Sequence, residues 1–170
     1  MRIFVTFILL ITNLTLQSTL LHSIAIFEVV PNTAILIIVS YAILRGDIEG
    51  AFTGFFAGLL QDIFFGRYIG LNAFLYMTAG FICGKPFRDF YRESFLTPLF
   101  LSGVATLCYE IAFYFTNYFF RARLDFLYYL NRNILPGTVY TLIMSIPLYR
   151  IVYAINAKLE AYEKARRRLF

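Results

Sequence analysis

Tryptophan is absent from the 170-residue chain, histidine occurs once, cysteine twice, and only 15% of the residues are charged. Each shortage excludes a class of protein. His22 has no acidic or cysteine neighbour at ligand spacing, so the several convergent ligands of a metal centre are missing. Cys83 and Cys108 fall in separate apolar stretches with no CxxC, which excludes a disulfide framework and reads as two packed thiols. There is no GxSxG, HExxH or GxxxxGK, so no familiar enzyme motif points to a catalytic residue or a cofactor. A soluble domain carries about 25% charged residues; this chain falls well below that.

What is present is hydrocarbon. Sixty per cent of the residues are hydrophobic and 19% are aromatic. Several apolar runs approach the roughly 20 residues that cross a bilayer core of about 30 Å. Open strands are excluded, because lipid cannot satisfy unpaired backbone groups. The expectation is an all-α polytopic membrane protein, a single domain over 1–170 with six transmembrane helices. These are placed at about 3–21, 32–44, 48–65, 71–84, 95–119 and 134–153, followed by a charged helical tail over 154–170. The triplet SIA at 23–25 faintly resembles a signal-peptide cleavage site, but everything downstream is also membranous, so the first segment is read as a retained helix. Pro31 is placed in the first turn of the second helix. RGDIE (45–49) is read as a short charged turn, and FRARLDFLYYLNRN (120–133) as a connection lying in the interface.

The net charge of +5 does not imply nucleic acid, because the basic residues sit in short connections and in KARRR (164–168). With the N-terminus inside, the cytoplasmic side holds Arg2, Arg45, the basic residues of 85–94 and the tail. The other side holds only Arg67, Arg121, Arg123 and Arg132. The positive-inside rule therefore favours two cytoplasmic termini.

In the third helix Gly50, Gly54 and Gly58 recur every four residues, and the series continues to Asp62 and Gly66. Residues four apart share a helical face, so Asp62 extends a ridge of glycines. Such ridges let membrane helices approach closely, and Gly80 and Gly84 repeat the spacing on the fourth helix. An acidic residue at mid-membrane costs about 2.5–3.5 kcal/mol, less towards the interface. Asp62 therefore needs partners: Arg67, or the free N–H groups where the fourth helix begins, around Gly70 to Asn72. The leading expectation is a clasp across the turn; a ligand contact and catalysis are the alternatives.

Glu110 lies near the middle of the fifth helix, where an acidic residue is a functional hypothesis by default. It is read either as a protonated group bonded to a neighbouring helix, or as part of a binding cavity, a proton-coupled step or a contact with a partner. Asn13, Gln17, Ser18 and Thr19 make the first helix moderately polar, which suits packing on other helices or on a partner.

The stretch PNTAILIIVSYAILRG (31–46) followed by GFFAGLLQDIFFGRYIGLNAFLYMTAGFICG (54–84) resembles the rod shape-determining protein MreD family. The resemblance is carried by Pro31, Arg45, Gly58, Leu59, Leu60, Asp62, Gly66, Gly70, Leu71 and Asn72. One position departs from it: Asn32 stands where the family often has Asp. Residues 95–170 match in pattern and length only. The resemblance implies a non-enzymatic scaffold of the bacterial inner membrane. It would bind MreC, work with MreB, RodA and a class B penicillin-binding protein, and organise lateral peptidoglycan synthesis. It further implies a fold like the substrate-binding subunits of energy-coupling-factor transporters. Two other readings stay open beside it, a small-molecule transporter subunit with a cavity near Glu110, and an intramembrane enzyme pairing Asp62 with Glu110. Membrane lipids are expected partners, with no nucleic acid and no cofactor.

Overall fold

The computed structural model describes residues 2–19, 30–66, 68–85, 96–117 and 126–167. Within them all regular structure is helical: α1 Arg2–Ser18, α2 Thr33–Arg45, α3 Asp47–Phe65, α4 Leu71–Gly84 and α5 Leu96–Asn117, then α6 Phe126–Tyr129, a π turn Leu130–Ile134, and α7 Leu135–Arg167. Because α6, the π turn and α7 run on without a break, the described residues form six long helical stretches. Three of these are long and apolar enough to cross a membrane: α3, residues 97–116 of α5, and residues 126–162 of the last stretch.

Helix α2 explains the architecture. Its sequence TAILIIVSYAIL is apolar all round, and a helix with no polar face belongs in an interior. Every residue from Thr33 to Leu44 is buried, and α2 packs against α1, α3, α4, α5 and α7. At 13 residues it is about 20 Å long, so it is a central core helix shorter than a bilayer core. The outside of the bundle carries Phe52, Phe56, Phe64, Phe74, Phe100 and Ile143 in exposed positions, a surface suited to lipid.

Three local expectations change. Pro31 does not sit in the first turn of α2 but just before its cap, and Asn32 provides that cap, accepting a hydrogen bond from Ile35 N–H at 3.2 Å. The segment 45–49 is not a turn of several residues. Gly46 alone, at φ 104°, ends α2 and starts α3, and Asp47 to Glu49 already form the first turn of α3, where acidic groups suit the helix dipole. The last helix begins at Phe126, not near 134, so residues 126–133 are helical and part of one rod. The cause is Pro136, which has no N–H to give the preceding turn. The backbone shifts to a π turn, with Leu135 N–H bonding Leu130 O, and the helix passes the proline unbroken.

Candidate functional site

Helices α3 and α4 form the most extensive pair among the described residues, and their glycines face each other. A Cβ on Gly54 would meet the carbonyl of Tyr76, one on Gly58 the backbone of Asn72 and Ala73, and one on Gly80 the carbonyl of Gly50. Gly84 approaches Asp47 in the same way. The two ridges are thus the two halves of a single antiparallel contact, backbone on backbone, the approach that only glycine permits.

Asp62 fastens the turn end of this hairpin. It is 1% exposed. Its Oδ2 accepts from Gly70 N–H at 2.8 Å and Ala73 N–H at 3.1 Å, and its Oδ1 from Asn72 N–H at 3.2 Å. The reason lies in α4. Its N-cap is Gly70, at φ 104°, which has no side chain to satisfy the orphan N–H groups of the first turn. A carboxylate on the preceding helix fills the role of an N-cap Asp and also faces the positive end of the helix dipole. Gly66 ends α3 with its N–H on Asp62 O at 2.9 Å, which holds the same turn from its other side. Arg67 lies outside the described residues, as do His22, the connection 86–95 and residues 118–125.

From Asp62 a buried polar network spreads through the core. Asn72, whose N–H holds Asp62, accepts at Oδ1 from the Tyr109 hydroxyl at 2.7 Å, joining α4 to α5. The Tyr109 ring lies 4.9 Å from that of Tyr76. Tyr76 is fully buried and donates to Asn32 Oδ1 at 3.0 Å, while Asn32 N–H donates to Thr141 Oγ1 at 3.1 Å, reaching α7. Five helices thereby meet through buried polar side chains, each with a partner. Asn32, where the resembled family often carries Asp, serves both as helix cap and as acceptor, and neither task needs a charge.

A second cluster lies at the other end of α2. Arg45 donates from Nε to Asn156 Oδ1 at 2.6 Å and pairs with Glu49 at 3.2 Å, and Asn156 donates to Glu160 Oε1 at 3.2 Å. Its side chain is 5% exposed, so this is a buried tie between the α2–α3 junction and α7, not a surface charge.

Glu110, partly buried on α5, makes no hydrogen bond to the Asp62 network within the described residues, although it is close enough to act electrostatically on the Tyr76 and Tyr109 hydroxyls; Asp62 is not among the groups that act on it. Among the described residues no group of three or more His, Cys, Asp or Glu is placed to hold a metal. The cysteines are both free; Cys83 is buried, but Cys108 is exposed on the outer face of α5, so only one of the two is a packed thiol. Ser18 and Thr19 are exposed, and each hydroxyl donates to the Thr15 carbonyl of α1. Tyr76, Tyr109 and Thr141 have no motif to mark them in the sequence. The available signal is that aromatic hydroxyls inside an apolar helix need a buried acceptor.

Removing the Tyr109 hydroxyl tests the network locally. Tyr109→Phe is expected to destabilise the protein by about 1–2 kcal/mol, because Asn72 Oδ1 loses a buried donor. Thermal unfolding in detergent measures it, and in an Asn72→Leu background the same change should have little further effect.

The bundle has a lipid-suited exterior, and among the described residues its fully buried carboxylate, Asp62, is taken up in holding two helices together, an arrangement that suits a membrane protein. The family model of the rod shape-determining protein MreD matches residues 1–159, nearly the whole chain. The chain belongs to the MreD family, and its role is in the determination of rod shape. Comparison with the curated proteins and with the solved structures returned no match.

Proposed function

We propose that the protein is an inner-membrane scaffold of the bacterial elongation machinery, which holds MreC and so helps to organise lateral peptidoglycan synthesis. The wall chemistry is done by its partners. One observation carries this reading: Asp62, the acidic residue at the centre of the motif, has both oxygens committed to three backbone N–H groups. Three of the roughly four acceptor sites of the carboxylate are thereby taken up inside the protein, which favours a structural clasp over a substrate contact or a proton relay. Membership of a rod-shape family supports the same conclusion.

In this reading all six long helices cross the membrane, arranged like the substrate-binding subunits of energy-coupling-factor transporters. The short α2 and α4 cross in the shelter of the others. Both termini are cytoplasmic, because that orientation collects most of the Lys and Arg on the inner side. The Phe126–Tyr162 stretch has 37 residues, about 55 Å of helix, nearly twice a bilayer core of about 30 Å. Its distal part therefore projects into the cytoplasm. Lys158 and Lys164 are exposed there, suited to anionic headgroups and to the MreB layer. RodA and the class B penicillin-binding protein are engaged directly or through MreC.

Co-expression with tagged MreC and purification in detergent tests the scaffold role. Stoichiometric recovery of the two chains is expected. Two folded proteins that separate completely on size exclusion would sink the reading.

A further inference from the structure

The buried polar network around Asp62 joins five of the six long helical stretches, and α1 is the one it does not reach. Helix α1 packs on α2 and α3, with the Thr6 hydroxyl donating to that of Tyr41 at 3.4 Å. Further along α1, Asn13 and Gln17 are four residues apart and share a face. Together with Gln61 of α3 they line a small cavity whose apolar wall includes Ala34 of α2 and Ala57 of α3. Three side-chain amides from two helices thus converge on one space. Gln61 also lies beside the Tyr76 hydroxyl, which donates to Asn32 Oδ1.

Size limits what this space can hold. It measures about 10 Å³, and a cavity of about that volume takes one water molecule. Neither an acyl chain nor a side chain from outside would fit. Depth and chemistry point to the same occupant. Asn13 is 8% exposed and stands eleven residues beyond Arg2, about 17 Å along α1. Gln61 is fourteen residues beyond Asp47, about 21 Å along α3. Hydrocarbon at these levels offers neither donor nor acceptor, and an amide left unbonded there is unfavourable. Within the described residues the side chains of Asn13, Gln17 and Gln61 make no hydrogen bond to one another or to a neighbour. The hydroxyls of Thr12, Thr15 and Ser18, by contrast, each bond a carbonyl of α1 itself. An amide brings two donors and an acceptor oxygen, and a buried water makes about three hydrogen bonds to polar groups that lack other partners. Three amides around a space of one water match that requirement.

We propose that the cavity binds one water molecule, held jointly by Asn13, Gln17 and Gln61, and that this water ties α1 to the polar network through Gln61 and Tyr76. The site is structural: it fixes α1 against α2 and α3 by polar contact inside the membrane, where the apolar contact alone is slight.

The test uses the full-length chain in detergent, as wild type, Asn13→Leu, Gln61→Leu and the double variant. Leucine is close to asparagine in size and has no polar atom. If one water is shared, either single change deprives the water and the remaining amides of a partner, so the thermal midpoint should fall by about 3 °C or more. The double variant should fall little further, because the first change already disrupts the site. In a dry cavity each change would instead remove an unbonded amide, and the midpoint would hold or rise. A second measurement reads the water directly. In protein labelled with 15N-asparagine, the Asn13 side-chain NH2, identified by its loss in Asn13→Leu, should show a water cross-peak with the sign of a long-lived bound water. That cross-peak should vanish in Gln61→Leu. No cross-peak in the wild type, a cross-peak that survives Gln61→Leu, single variants as stable as wild type, or losses that simply add in the double variant would each overturn the shared water.

Discussion

A Gly58→Leu protein is expected to insert into the membrane but fail to close α3 on α4, eluting as aggregate or with its thermal midpoint lowered by about 10 °C or more, the mark of a loss above about 4 kcal/mol. The reason is what the new side chain meets. Even the Cβ would press on the Cα of Ala73 and the carbonyl of Asn72, which are backbone and cannot turn aside. The two helices would have to separate, and the separation would pull Gly70, Asn72 and Ala73 from Asp62. Gly58→Ala should therefore already be harmful, and leucine worse. Gly103→Ala supplies the control. There a Cβ would meet only the flexible end of Leu142 at 2.9 Å, so the loss should be about 1 kcal/mol or less. Wild-type stability and normal rod shape in cells carrying Gly58→Leu would contradict the backbone-on-backbone contact.

Asp62→Ala is expected to rank second, costing about 3 kcal/mol or more. It strips the partner from three N–H groups at the start of α4, and an unsatisfied buried donor costs about 1–3 kcal/mol. Asp62→Asn should fall between wild type and alanine. One oxygen can still accept, but the other is replaced by an NH2 group that faces an N–H, and the favourable charge at the helix N-terminus is gone. Amide hydrogen exchange separates this account from a general loosening. The amides of Gly70, Asn72 and Ala73 should exchange faster in both variants, while those at the centre of α2 change least. Unchanged protection at those three amides would show that Asp62 does not cap α4.

The sequence was most informative where one residue type repeats at a fixed interval. Glycines at 50, 54 and 58, with Asp62 and Gly66 continuing the series, define a face whatever the rest of the chain does, since helix geometry alone relates positions four apart. Helix ends set by local chemistry were also legible: α4 runs from Leu71 to Gly84, the bounds its flanking Gly70 and the following basic stretch imply. Departures arose where a single residue had more than one local solution. Pro31 could stand in the first turn or before the cap, and Asn32, by taking the cap, put it outside. Pro136 could have ended a helix, and a π turn carried the helix past it.

Composition and hydrophobic spacing by themselves determined the class, an all-helical protein with a lipid-suited exterior, because the scarcity of charge and the length of the apolar runs are properties of the chain alone. They also determined that Asp62 shares a face with the ridge. Only the tertiary structure decided what that face meets. The ridge closes on its own neighbour α4, Asp62 supplies the cap that Gly70 cannot, and Tyr76 and Tyr109 find their acceptors in Asn32 and Asn72, distant in sequence. It also decided that α2 is enclosed on every side and that Glu110 makes no hydrogen bond to the Asp62 network within the described residues. The physical reason is common to all of these: helical period fixes which side chains share a face, but the partner of a face is chosen by how closely whole helices can pack.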